Sequence, residues 1–217
     1  MISLLAGSKG GTGKTTLATN LAVEASARGK QILLLDADPQ GSVSAWIEQR
    51  SEVCAYPIIH SVQKYGRGIA NEVSRNLAKR YDHIIIDTGG HDSIEMRMAG
   101  LCANQVIIPI QPSQFDVWTI KHMMKILDEW HLLNPELSGA FVINRAPTNY
   151  KAKSLKEIRD LLADENIPTL QTVVYERDIY KRAAKNGKGV VEMHSEDNKK
   201  ACNEIKDLFS EIFGLDA

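Results

Sequence analysis

The feature that most constrains this chain is a glycine-rich loop set between an apolar run and a helical pattern. Gly7-Ser8-Lys9-Gly10-Gly11-Thr12-Gly13-Lys14-Thr15-Thr16 follows the apolar residues 2–6 and opens the helix-period stretch 14–28. Gly10, Gly11 and Gly13 let the backbone curl so that successive N–H groups point inward at phosphate oxygens. A helix beginning at Lys14 adds its positive end to that attraction. In this strand–loop–helix setting Lys14 is expected to reach the β- and γ-phosphates of ATP, and the Thr15 hydroxyl to ligate Mg²⁺. The bland alternative is a glycine-rich turn between a strand and a helix.

The rest of the chain repeats the alternation that the loop demands. Short β-branched or leucine-rich runs at 31–35, 83–86, 105–110, 140–143 and 170–174 read as strands. Helical patterns fall at 42–50, 67–80, 93–102, 115–133, 152–164, near 178–186 and at 196–213. Ser113 and Ser154 read as helix starts and Gly29 as a helix stop. The expected architecture is α/β: a doubly wound, mostly parallel sheet with helices on both faces. The unusual polar residues cluster just after strand ends: the glycine loop, Asp36 and Asp38, Asp87, Gln111-Pro112, and Asn144-Arg145. In open α/β sheets that edge is where ligands bind.

A chain of 217 residues with 43% hydrophobic content fits one domain, 1–217, with a sizeable core. Its net charge of −1 gives no global signal for nucleic acid or membrane. Three widely spaced cysteines, without CxxC, suggest neither a disulfide framework nor a zinc site, and a cytosolic setting is expected. The apolar start is too short for a signal peptide or a membrane span.

Two other loop readings fail on particular residues. A dinucleotide fingerprint would need a third glycine where Thr16 stands, although Asp36 falls near the position of a ribose-binding acid. The general GxxxxGK[ST] pattern requires glycine where Ser8 stands. What the chain has instead, Lys9-Gly10-Gly11-Thr12-Gly13-Lys14-Thr15-Thr16, resembles the deviant Walker A box of the ParA/MinD family of ATPases. Leu35-Asp36-Ala37-Asp38-Pro39-Gln40-Gly41 resembles that family's Walker A′ segment, and Ile84-Ile85-Ile86-Asp87-Thr88 its Walker B strand. Ile107-Ile108-Pro109-Ile110-Gln111-Pro112-Ser113, and Arg177 with Tyr180 before a glycine-containing loop, are similar to the small ParA subgroup.

The resemblance implies roles. Lys9 would be the signature lysine that reaches the nucleotide of a partner subunit, so an ATP-sandwich homodimer is expected. Asp87 reads as the Mg²⁺ partner, directly or through water. By resemblance Asp38 orients or activates the attacking water and Asp36 supports the metal or the loop; two acids at a strand-end turn are the plainer alternative. Asn144 stands where family members read adenine, and equally where a strand simply turns. Lys9, the residues Gly10 to Thr16, and Asn144 form the expected nucleotide site, with Lys9, Lys14 and Asp38 catalytic and Thr15, Asp87 and Asp36 at the metal. His91-Asp92 read as loop residues, and Trp46, Trp118 and Trp130 as core or interface.

The activity implied is ATP hydrolysis that is slow and partner-stimulated. The leading expectation is a ParA-type cycle in which the ATP dimer binds DNA non-specifically and hydrolysis releases it, driving plasmid or chromosome partition. The alternatives are positioning of a protein cargo, a carboxysome or chemotaxis cluster, or a membrane-cycling regulator like MinD. Arg177, Lys181, Lys185 and Lys188 recur at helical spacing, and Lys151, Lys153, Lys156 and Arg159 form a second cluster. These are candidate DNA contacts, or simply solvated faces. The 204–213 segment is amphipathic but acidic, so membrane binding is not expected, and Ile205, Leu208, Phe209 and Ile212 are expected to pack on the sheet. The first strand leads directly into the phosphate loop, so no N-terminal DNA-reading domain is expected. A ParB-like or cargo-adaptor partner and a nucleoid-associated location follow from the resemblance alone.

Overall fold

Unbroken apolar strands need cover on both faces, and the computed structural model supplies it. The structure describes residues 1–114, 116–149, 152–193 and 198–214. Among them the strands are β1 (Ile2–Leu5), β2 (Ile32–Asp36), β3 (His60–Gln63), β4 (His83–Asp87), β5 (Gln105–Ile110), β6 (Ser138–Ala146) and β7 (Thr169–Tyr175). The helices are α1 (Lys14–Ala27), α2 (Ser42–Glu52), α3 (Ile69–Glu72), α4 (Ile94–Gly100), α5 (Val117–His131), α6 (Ala152–Leu162), α7 (Asp178–Lys185) and α8 (Lys199–Phe213). The seven strands form one sheet in the order β3-β2-β4-β1-β5-β6-β7, and every pairing is parallel. This is the parallel sheet with helices on both faces that the alternation predicts.

Successive strand residues feed opposite layers. Leu33, Leu35, Ile84 and Ile86 join one core with Ile69, Met96, Ile120, Leu127 and Leu162. Leu34 and Ile85 join the other with Leu17, Leu21, Val43, Trp46 and Ile179. Burying one such side chain contributes about 2 kcal/mol. Ile205, Leu208, Phe209 and Ile212 of α8 are all buried in the second layer, as the 204–213 pattern predicts. Trp46 and Trp130 are core, while Trp118 is 83% exposed.

The boundaries differ in instructive places. β3 has no counterpart in the sequence reading, because its His60-Ser61-Val62-Gln63 is mostly exposed at the sheet edge and carries no apolar pattern. The predicted helix 67–80 is a 3₁₀ turn (Gly66–Gly68), then α3, then a π turn (Val73–Leu77). Ser113 does not start α5: it lies in a 3₁₀ turn, and the cap is Asp116, whose carboxylate accepts from the Trp118 N–H and the Thr119 hydroxyl, both at 3.0 Å. Ser154 likewise falls within α6 rather than before it. Gly29 follows the last turn of α1 with φ 81°, the left-handed stop expected of it. Lys151, and residues 196–197 of the predicted last helix, lie outside the described residues.

Candidate nucleotide site

The strand order places the site. The connection after β1 runs to β2 on one side, while that after its neighbour β5 runs to β6 on the other, so the loop after β1 opens at the point where the sheet's winding reverses. Register then aligns the acids: Leu5 pairs with Asp87, and Asp87 with Asp36. Loop, Walker B acid and Walker A′ acid thus share one edge.

Gly13 precedes α1 with φ 88°, a conformation glycine adopts without strain. Lys14 is 6% exposed and its ammonium turns back onto the loop, donating to the Lys9 carbonyl at 3.3 Å. Burial lowers its pKa, against the attraction of Asp87 and Asp38. The Thr15 hydroxyl donates to Asp87 Oδ2 at 2.6 Å. Asp87 is fully buried, and its Oδ1 has no hydrogen-bond partner. Burial pushes the Asp87 carboxyl up to about 7, opposed by the Thr15 bond and by Lys14. A cation would restore its ionised form.

Asp36 and Asp38 divide differently from their sequence symmetry. Asp36 is completely buried; Oδ2 accepts from the backbone N–H of Ser44 at 2.9 Å and from its hydroxyl at 2.7 Å, and Oδ1 from the Asp38 N–H at 3.2 Å. It pins the first turn of α2 and shapes the segment that carries Asp38. Asp38 is only partly buried and closes a local turn by accepting from the Gln40 N–H at 3.0 Å. It is therefore more accessible than Asp36.

Asn144 is 2% exposed and donates its side-chain amide to the Thr12 carbonyl at 2.7 Å, so it braces the phosphate loop. It also lines, with Thr16, Arg145, Tyr175, Glu176 and Tyr180, a cleft beside the start of α1. Two further contributors were not assigned roles from sequence. Arg145 donates to the Gly11 carbonyl at 2.6 Å. Gly90 lies against the loop: a Cβ there would sit 2.3 Å from the Gly10 Cα. The paired Gly89-Gly90 after the Walker B strand was the available signal of a close backbone approach.

The two candidate basic faces are thinner than their spacing suggests. Arg177 forks onto Glu204 Oε1 at 2.9 and 2.6 Å. Arg159 donates to the Leu170 and Gln171 carbonyls. Both cations are spent on the fold, while Lys181 and Lys185 on α7 and Lys153 and Lys156 on α6 are exposed.

The site's architecture has known counterparts. The model of the CobQ/CobB/MinD/ParA nucleotide-binding domain matches residues 3–190. The chain belongs to this family. Among CobQ/CobB/MinD/ParA relatives, it is 26% identical to the maintenance of carboxysome distribution protein A of Halothiobacillus neapolitanus, over 94% of this chain and 92% of that one. Its fold matches the septum site-determining protein MinD of Pyrococcus horikoshii, solved with Mg-ADP, at a TM-score of 0.75 and 18% identity, over 100% and 98% of the two chains. It also matches a plasmid partition protein of Borrelia burgdorferi at a TM-score of 0.67 and 21% identity, over 98% and 96%.

Proposed function

We propose that this protein is an ATP-driven positioning switch of the ParA type. The observation that carries the reading is the convergence of Lys14, Thr15 and the unsatisfied Asp87 on one loop that also bears Lys9. Among the described residues no cluster of three or more His, Cys, Asp or Glu side chains could hold a metal alone. Mg²⁺ suits the partnerless Asp87 Oδ1 beside Thr15: it takes one or two protein oxygens and completes its shell with phosphate and water. Thr15 and Asp87 would hold it, and it would neutralise charge on the transferred phosphoryl group. Lys14 would move from the Lys9 carbonyl to the β/γ oxygens. Asp38 would orient the attacking water, with Asp36 holding the turn that presents it. The cleft beside Thr16 and Asn144 would take the nucleoside. Lys9 would cross to the nucleotide of a second copy, so that two sites close together.

The carboxysome-distribution relative, similar along nearly its whole length, favours a large protein assembly as cargo over the plasmid or chromosome expected first. The plasmid partition structure keeps DNA partition as the second reading. A cargo-adaptor or ParB-like partner would stimulate hydrolysis in either case. A membrane cycle draws no support from α8, whose apolar face is buried, and among the described residues no helix is long and apolar enough to cross a membrane.

Sedimentation velocity of wild type and Lys9→Ala, with ATP·Mg²⁺, with ADP and without nucleotide, tests the reading. Wild type is expected to dimerise with ATP alone, and Lys9→Ala to stay monomeric. A wild-type distribution indifferent to ATP overturns it.

A further inference from the structure

Along β6 the side chains alternate: Phe141 and Ile143 enter one core layer, Ala140 and Val142 the other. At Arg145 the alternation fails. Its φ of 53° lies in the left-handed region that side chains other than glycine and asparagine avoid. The consequence is that two successive residues reach the same loop. Asn144 donates to the Thr12 carbonyl at 2.7 Å, and Arg145 Nη1 to the Gly11 carbonyl at 2.6 Å. On a regular strand these side chains would leave opposite faces.

Two adjacent carbonyls are therefore drawn to one side of the loop. In a trans peptide the C=O and the following N–H point opposite ways within one plane. Pulling the Gly11 carbonyl toward Arg145 turns the Thr12 N–H away from it, and pulling the Thr12 carbonyl toward Asn144 does the same for the Gly13 N–H. The grip closes tightly on glycine: a Cβ at Gly13 would lie 2.4 Å from Asn144 Nδ2 and 3.3 Å from Arg145 Cδ. Arg145 is itself held, because Nη2 donates to Glu176 Oε1 at 2.8 Å. Glu176 follows β7, and its own N–H is anchored on the Ala146 carbonyl at 2.8 Å. The planar fork lets one side chain serve Gly11 and Glu176 together, each through its own nitrogen.

We propose that Arg145, latched by Glu176, is a positioning residue that presets the phosphate-facing N–H of Thr12, with the left-handed backbone at Arg145 as the device that allows it. This rests on the reading that the loop binds a nucleoside triphosphate. Arg145 acts through the loop backbone and need not touch phosphate.

The test uses the full chain and a fluorescent ATP analogue with Mg²⁺, measuring Kd, KM against kcat, and Tm for Arg145→Gly, Arg145→Lys and Glu176→Gln. Glycine suits φ 53°, and that relief of strain offsets part of the loss of the Gly11 and Glu176 bonds, so Arg145→Gly is expected to fold with only a modest fall in Tm. Its Kd and KM should nonetheless rise about tenfold, with kcat within about twofold of wild type. Arg145→Lys, which keeps the charge and loses the fork, should lose severalfold, and Glu176→Gln less. Arg145→Gly binding the analogue as wild type does overturns the proposal. If that variant does not fold, unchanged affinity in both Arg145→Lys and Glu176→Gln overturns it instead. Wild type that fails to bind the analogue refutes the nucleotide reading itself, a separate result.

Discussion

Gly90 presses on Gly10 so closely that no side chain fits between the segment after β4 and the phosphate loop; even the nitrogen of Gly10 would lie 2.6 Å from an added Cβ. The contact is backbone against backbone, so a larger residue has no flexible neighbour to displace. Gly90→Ala is expected to shift the loop and weaken ATP binding by at least about tenfold, an effect of about 1.4 kcal/mol. Titration calorimetry with ATP·Mg²⁺ checks this, and affinity equal to wild type would show that the loop moves aside at no cost.

The acid beside that contact gives a pH signature. Burial pushes the Asp87 carboxyl up to about 7 in the folded chain against 3.8 for an ordinary aspartate. The folded state therefore holds its proton more firmly, and stability from this group is full below about pH 4 and lost as pH rises toward 7. The loss is on the order of a few kcal/mol. Asp87→Asn should flatten that decline in the nucleotide-free protein and also abolish stabilisation by ATP·Mg²⁺. Thermal melts from pH 5 to 8, with and without ATP·Mg²⁺, read both effects; a parallel pH dependence in the two proteins would count against the buried acid.

On α7 and at its N-cap the exposed and the engaged cations should separate cleanly. Lys181→Ala with Lys185→Ala is expected to weaken ATP-dependent DNA pelleting and lower its salt slope by up to about two, with Tm unchanged. Arg177→Ala should instead cost about 2–3 kcal/mol of stability, since it leaves Glu204, 11% exposed, without its cation. DNA pelleting by the double lysine variant that matches wild type would remove α7 from the interface.

Arg50 ties distant segments together. Its guanidinium, 4% exposed, meets both Glu192 oxygens at 2.7 and 2.9 Å and donates to the Gly187 and Pro57 carbonyls. Arg50→Met should destabilise the fold by about 3–5 kcal/mol, because Glu192 is left partly buried and unpaired. Arg50→Met combined with Glu192→Leu should recover part of that loss. Urea denaturation of the single and double variants gives the coupling directly.

The individual strands and the glycine-rich loop were readable because both are local patterns. Five apolar strands announced themselves by unbroken burial on two faces, and Lys14, Thr15 and Asp87 stood at their strand ends in the order the fold requires. What escaped was whatever depended on a partner far along the chain. Nothing near Arg177 or Arg159 reveals that one meets Glu204 and the other the β7 backbone. Asp36 and Asp38, two apart and alike in sequence, part company only because Ser44 returns to cap the first. Asn144 next to Arg145 marked a strand end, but the left-handed residue that turns both toward the loop is a three-dimensional fact.

β3 was hidden by its polarity, and that polarity has a use. Among the described residues it pairs with β2 alone, so its outer side is an edge of the sheet. A four-residue strand with His60, Ser61 and Gln63 exposed offers a visiting strand little length and no apolar grip. The protein would thus be guarded against edge-to-edge association by the same side chains that gave no strand signal. On the proposed reading, a second copy docking at the nucleotide end would meet no competition from this edge.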